Sequence, residues 1–137
     1  MTIKNDIILW DDGANCLCLR SIPSEQQYKY IDGHPCITFG VSYENANFKG
    51  YDTITLFDRF YNNILNEMKN TYESLNGTFR ICDIGADTDG YIDFVAKNGI
   101  ASIKGQLGAS FSSHSLKFEF QADQTLIGRL MQAIELR

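Results

Sequence analysis

The residue types best suited to nucleophilic or metal-binding chemistry in this sequence are two histidines, His34 and His114, and four cysteines. Neither histidine stands in a nucleophile elbow or another catalytic signature, so we expect both in turns or on the surface. Cys16 and Cys18 share a strand face, but no second close pair or nearby histidine completes a zinc set. We therefore expect buried, reduced cysteines without metal, cofactor or catalysis. The cysteines are Cys16, Cys18, Cys36 and Cys82.

Acidic residues concentrate in one stretch that contains no basic residue: Asp83, Asp87, Asp89 and Asp93. Turn geometry accounts for Asp87 and Asp89, whereas Asp83 and Asp93 fall at predicted strand positions, where aspartate is disfavoured. One explanation is a solvated hairpin tip. The other is an acidic surface for a basic partner, because a fold does not require four carboxylates at one end of a sheet. Asp11 and Asp12 are the next candidates for such a surface.

The overall charge points to the same kind of partner. The formal net charge is −5, from 17 acidic and 12 basic residues, which argues against direct binding of nucleic acid or an anionic membrane. The sequence has no signal-peptide pattern and no apolar run of transmembrane length. At 137 residues, we expect a single domain, 1–137, in the cytoplasm.

The elements that must position these residues are clearest in the last quarter of the chain. Apolar and polar residues alternate from Ser115 to Ala122, which predicts a half-buried strand. Apolar residues from Leu126 to Ile134 then fall on one helical face. Asp123 stands between the two patterns, where its carboxylate can cap the helix. A strand therefore leads directly into a C-terminal helix.

Upstream, alternating and apolar runs predict further strands at residues 6–10, 16–22, 28–31, 36–43, 48–54, 79–84, 91–97 and 100–107. A long amphipathic helix is predicted from Thr55, with Asp58 in a weak capping box and a left-handed cap at Asn76-Gly77. Asn98-Gly99 is the strongest hairpin signal. The sequence thus predicts an α+β fold. It consists of an antiparallel, curved sheet of about six to eight strands with two amphipathic helices, the second C-terminal.

The segment Leu116-Lys-Phe-Glu-Phe-Gln-Ala-Asp-Gln-Thr-Leu126, followed by an apolar helix, resembles the closing motif of small bacterial immunity proteins. These proteins accompany wall-associated and contact-dependent growth-inhibition toxins. The detailed match covers roughly the last thirty residues, and the order of the upstream elements is similar. The resemblance implies a non-enzymatic protein that binds the C-terminal domain of a delivered toxin and blocks its active site. Many such toxins are nucleases with basic surfaces, to which an acidic inhibitor binds quickly.

The resemblance does not identify the toxin-binding residues, so these come from charge alone: Asp83, Asp87, Asp89, Asp93, Asp11 and Asp12. Two other functions remain open at this stage. The chain could be a small-ligand-binding or accessory module with an apolar pocket, or an enzyme that uses Cys36 or a histidine. Of the three, an immunity protein is the interpretation that we carry forward.

Overall fold

The computed structural model describes residues 5–85 and 88–135, and Asp87 therefore lies outside the described residues. Within these ranges the chain forms nine strands and three helices, the last of them C-terminal. All strand pairs are antiparallel, so the α+β class is confirmed. The strands form two sheets rather than one: the strands before the long helix make the first sheet, and those after it make the second. No helix of the described ranges is long and apolar enough to cross a membrane.

The first sheet has five strands, with β4 at its centre. Its elements are β1 (Ile7–Asp11), β2 (Asn15–Arg20), the short helix α1 (Ser24–Gln27), β3 (Tyr28–Ile31), β4 (His34–Asn45) and β5 (Lys49–Phe57). On one edge, β4 pairs with β5, and on the other edge it pairs first with β3 and then with β2. The inner face of β4 carries Ile37, Phe39, Val41 and Tyr43 into the core.

The second sheet is a four-stranded meander that lies between two helices in the order of the chain. Its elements are α2 (Asp58–Ser74), β6 (Gly77–Cys82), β7 (Tyr91–Lys97), β8 (Ile100–Leu107), β9 (Leu116–Asp123) and α3 (Gln124–Glu135). Asn98 and Gly99 join β7 to β8 with φ values of 53° and 83°. Two consecutive residues with positive φ are what a tight hairpin turn needs, so the predicted hairpin is confirmed.

Both ends of helix α2 differ from the prediction. Thr55 still belongs to β5, where its hydroxyl lies 2.9 Å from that of Thr38, and the helix begins only at Asp58. The strand continues because β4 keeps pairing with it as far as Phe57. At the other end, the left-handed residue that caps the helix is Leu75, with φ of 62°, one residue before the predicted Asn76-Gly77.

The junction between β9 and α3 is as predicted. The N–H of Thr125 donates to the carboxylate of Asp123 at 2.8 Å, which caps the first turn of α3. On β9, Phe118 stacks against Tyr43 of the five-stranded sheet, with ring centroids 4.3 Å apart. The strand thereby brings the two sheets together, and α3 buries its apolar face in the same core.

The ends of the meander strands lie along the free edge of β5, and we call this line the seam. Beyond β6, the N–H of Ile84 donates to the carbonyl of Thr55 at 3.1 Å. Beyond β8, the N–H of Gly108 donates to the carboxylate of Asp52 at 2.9 Å. The seam closes a strand edge that would otherwise leave backbone groups unpaired.

Candidate functional site

Asp83 is a structural part of the seam. It lies just beyond β6 and is half-buried, and its carboxylate accepts the N–H of Thr55 at 2.7 Å and that of Gly85 at 2.6 Å. Burial raises the pKa of Asp83, and the two N–H donors oppose that rise. The β5 edge therefore needs Asp83 as an acceptor for a backbone group that would otherwise be unpaired.

Asp89 holds a loop to the end of β8. Its carboxylate accepts from the N–H of Ser110 at 2.7 Å, from the hydroxyl of Ser110 and from the side-chain amide of Gln106 at 2.8 Å. Hydrogen bonds from Ser110 lower the pKa of Asp89 below its usual range. The carboxylate is exposed, but the loop is built around it.

Asp93 lies on the outer face of the four-stranded sheet, and Arg80 neutralises it. The guanidinium of Arg80 donates to both carboxylate oxygens, at 2.5 and 2.8 Å, and stacks over the ring of Tyr91 at 4.5 Å. On its other side, Asp93 is in register with Lys104 of β8. Asp93 therefore belongs to a row of alternating charges rather than to an acidic patch.

These contacts correct one premise of the sequence analysis. The fold was expected to have no need for the carboxylates between residues 83 and 93, but that premise is wrong for Asp83, Asp89 and Asp93. Each of the three accepts hydrogen bonds from other parts of the chain. The fourth, Asp87, lies outside the described residues. Whether any of the four binds a partner stays a hypothesis, and replacing Asp83, Asp89 or Asp93 would also remove hydrogen bonds within the fold.

Asp11 ends β1, and Asp12 begins the turn that leads to β2. Asp12 accepts three donors: the N–H of Asn15 at 2.7 Å, that of Ala14 at 2.9 Å and the indole N–H of Trp10 at 3.0 Å. The backbone N–H of Asn15 is the main cause that lowers the pKa of Asp12. Asp11 accepts only the N–H of Gly13, at 3.1 Å, among the described residues. Asp12 therefore builds the turn, and one oxygen of Asp11 remains available.

The strand register brings a third carboxylate to this turn. Asp11 is opposite Cys16 on β2, and Cys16 is opposite Glu44 on β4, so the three side chains share the outer face of the sheet. Between them is an open depression of about 290 Å³, lined in part by Asn45. Glu44 has a side chain that is 56 % exposed, and the Lys49 ammonium lies 4.0 Å away. We call Asp11, Asp12 and Glu44 the acidic tip.

Sequence reasoning missed Glu44. It follows the alternating part of β4 and has no acidic neighbour in the sequence. Only the pairing of β2 with β4 brings it beside the first turn. The alternation of residues 36–43 predicts the strand, but a strand pattern contains no information about which strand lies beside it.

The histidines and most of the cysteines lie where we expected them. His34 and His114 are exposed, Cys18 and Cys36 are buried and Cys16 is half-buried, but Cys82 is exposed, against the prediction. Burial raises the pKa of the Cys16 thiol to about 11, and the Cys18 sulfur lies 3.6 Å away. A thiol with so high a pKa is a poor nucleophile at neutral pH. Among the described residues, no three His, Cys, Asp or Glu side chains come together as metal ligands.

A further depression lies on the outer face of the four-stranded sheet. It measures about 440 Å³, and its lining includes Arg80, Asp93, Lys104 and Glu119. These charged side chains make it unlike the apolar pocket that a small-ligand module would need.

Comparison with known proteins adds no family to this description. No protein-family model matches the sequence, and no curated protein and no solved structure is significantly similar to it. The functional argument therefore depends on the residues of this chain and on the resemblance of its C-terminal motif.

Proposed function

We propose that this chain is a cytoplasmic immunity protein, a non-catalytic inhibitor that binds the C-terminal domain of a toxin and blocks its active site. The expected toxin is a nuclease, whose substrate-binding surface is basic. The observation that carries the proposal is the acidic tip, where two hairpins place three carboxylates on one exposed end of the five-stranded sheet. The C-terminal motif and the net charge of −5 support it.

The acidic tip fits this role because the fold uses only part of it. Asp12 receives the donors that shape the turn, while one oxygen of Asp11 has no partner among the described residues. Glu44 has an exposed lysine at 4.0 Å as its neighbour, and such surface pairs contribute little to stability. Carboxylates that the fold does not need can face a basic partner at little structural cost.

The physics of charged interfaces specifies how the tip would act. Exposed charges of opposite sign mainly accelerate association, and salt screens them. Carboxylates that become fully desolvated in the complex also slow dissociation. A shallow acidic depression that receives one lysine or arginine of the toxin would combine both effects.

A protection assay tests the proposed function. The candidate toxin is the C-terminal domain encoded by the gene immediately upstream of this one in its native genome. That domain is expressed in a susceptible strain with and without this protein, and growth is measured. Growth only in the presence of this protein is the expected result. Growth arrest in both strains, with the protein present and folded, would show that the proposed function is wrong for this pair.

The acidic tip is tested in the purified complex. Changing Asp11 and Glu44 together to lysine should weaken toxin binding about tenfold or more, which corresponds to ~1.4 kcal/mol. The loss should be larger at low salt. Changing Glu73 and Glu119 to lysine is the matched control, because both are exposed and lie away from the tip. If the control weakens binding as much as the tip variant, net charge alone matters and the tip is not the interface.

A further inference from the structure

A second feature of the surface lies at the opposite end of β4 from the acidic tip. His34, Arg59 and Phe60, which are exposed, and the half-buried Phe57 form one group there, which we call the aromatic–arginine cluster. The guanidinium carbon of Arg59 lies 4.7 Å from the ring centroid of Phe57 and 4.9 Å from that of Phe60. The Phe57 ring meets the His34 and Phe60 rings edge to face, each at 5.9 Å. The rings therefore hold the arginine in one place.

Arg59 differs in its partners from other arginines of the chain. Arg20 forms an ion pair with Asp6 at 2.8 Å, and Arg80 donates two hydrogen bonds to Asp93. Arg59, by contrast, has no carboxylate or carbonyl acceptor among the described residues, and its guanidinium lies over two rings. The two rings restrict the position of its guanidinium, while Arg59 is exposed and its planar set of N–H donors is accessible to solvent. An arginine prepared in this way loses less entropy when it binds a planar anion.

The surroundings of Arg59 have the composition of a protein-binding surface. Phe60 is 43 % exposed although it lies on a helix that packs against the core. Strand β3 buries none of its four side chains. Lys29 of this strand shares the outer face with Phe57, because both are in register with Cys36. Exposed aromatic side chains around an arginine are typical of interface hot spots.

We propose that the aromatic–arginine cluster is a second interaction site, which binds an aspartate or glutamate side chain of a protein partner next to an apolar residue. The guanidinium of Arg59 would bind the carboxylate with two parallel hydrogen bonds, as Arg80 binds Asp93 within this chain. The rings of Phe57 and Phe60 would cover the apolar neighbour. A polyanion such as nucleic acid is a poorer occupant, because the chain carries a net charge of −5.

The site is separate from the acidic tip. His34 is the first residue of β4, and Glu44 is the last but one. At ~3.4 Å per residue along an antiparallel strand, the two sites lie about 34 Å apart. One partner could span this distance only with an interface of at least standard size. The inference therefore does not depend on the proposed function.

NMR titration with a defined probe tests this inference. The probe is an acetylated and amidated hexapeptide, Gly-Leu-Glu-Glu-Leu-Gly, and its glutamine counterpart is the charge control. Signals of the arginine Nε–Hε groups are followed separately, so that Arg20 and Arg80, which already have partners, serve as internal references. The signals of Arg59 and of the Phe57 and Phe60 rings should respond at peptide concentrations about tenfold lower than those of the references, a ratio that corresponds to ~1.4 kcal/mol.

Two variants sharpen the test. Arg59→Lys keeps the charge but loses the planar donor set and should weaken peptide binding about tenfold, or ~1.4 kcal/mol. Lys49→Gln removes an exposed cation at the other end of the sheet and should leave peptide binding unchanged. An equal response of Arg59, Arg20 and Arg80, or an equal response to the glutamine peptide, would overturn the proposal. Tighter binding of a short oligothymidine or of inorganic phosphate than of the glutamate peptide would also overturn the carboxylate assignment.

Discussion

Replacing Asp83 with alanine is expected to lower the free energy of unfolding by about 2 kcal/mol, because it removes a charged acceptor from the seam. The N–H of Thr55 would lose its partner at 2.7 Å, and Thr55 is only 6 % exposed, so water cannot readily replace the carboxylate. The N–H of Gly85 is exposed and can bond to water at little cost. Relief from burying a charge near Asp52 offsets part of the loss.

The assay is urea unfolding at neutral pH, supported by thermal unfolding. In a chain of 137 residues, ~2 kcal/mol corresponds to a fall in Tm of about 7 °C, at an unfolding entropy of ~2.1 cal/mol/K per residue. Asp93→Ala is the matched control. It breaks a surface ion pair whose arginine and aspartate side chains are 55 % and 28 % exposed, and for this bidentate pair we expect the upper end of the surface range, ~1 kcal/mol. If the two variants unfold at the same urea concentration, the seam does not depend on Asp83 and our interpretation of it is wrong.

The dependence on pH gives a second signature for Asp83. Because burial raises its pKa in the folded protein, its contribution to stability is fully present below the unfolded pKa of 3.8 and is lost as pH rises through the folded pKa. Asparagine cannot titrate, so Asp83→Asn should be most destabilised relative to the original protein in acid. Its deficit should shrink as pH rises above about 4. A deficit that grows toward neutral pH would contradict the raised pKa.

Three further predictions concern other parts of the molecule. Asp89→Asn should show the opposite pH dependence: hydrogen bonds from Ser110 lower the pKa of Asp89, so its contribution is present above 3.8 and is lost as pH falls through the folded pKa. Urea midpoints at neutral and acidic pH decide this, and a deficit that persists undiminished in acid would refute it. Asp123→Ala should lower the free energy of unfolding by about 1 kcal/mol through loss of the helix cap, and Asp123→Asn should restore most of that loss. An unchanged urea midpoint for Asp123→Ala would show that the cap does not stabilise the fold. Replacing all four cysteines by alanine or serine should cost some stability, chiefly at the two buried positions, without loss of toxin protection, and metal analysis of the original protein should find no stoichiometric zinc. One bound zinc per chain would contradict that expectation. The four positions are Cys16, Cys18, Cys36 and Cys82.

The features that depend on neighbours in the sequence could be predicted before the fold was known. The Asn98-Gly99 turn needs two residues that tolerate positive φ between two apolar runs, and the chain has both. The change of period at Asp123 predicts a strand, a cap and a helix in that order, and all three form. In each case, the interactions that decide the structure join residues only a few positions apart.

The start of α2 shows where local pattern stops being sufficient. Thr55 and Asp58 have the spacing of a capping box, but Thr55 also lies opposite Thr38 in the ladder between β4 and β5. Pairing with β4 and the bond to Asp83 satisfy the backbone of Thr55 in an extended conformation. A helix cap contributes about 1 kcal/mol, whereas pairing in the strand ladder satisfies several backbone groups at once. Thr55 therefore remains in the strand and does not cap the helix.

The availability of each carboxylate was decided by the tertiary structure alone. Composition establishes that the chain is acidic, and a run of aspartates establishes where acid is dense in the sequence. Neither tells which carboxylates are free, because the donors come from distant segments: Thr55 for Asp83, Ser110 for Asp89 and Arg80 for Asp93. Strand register, which no single strand encodes, pairs Asp93 with Arg80 and places Asp11 and Glu44 on either side of Cys16.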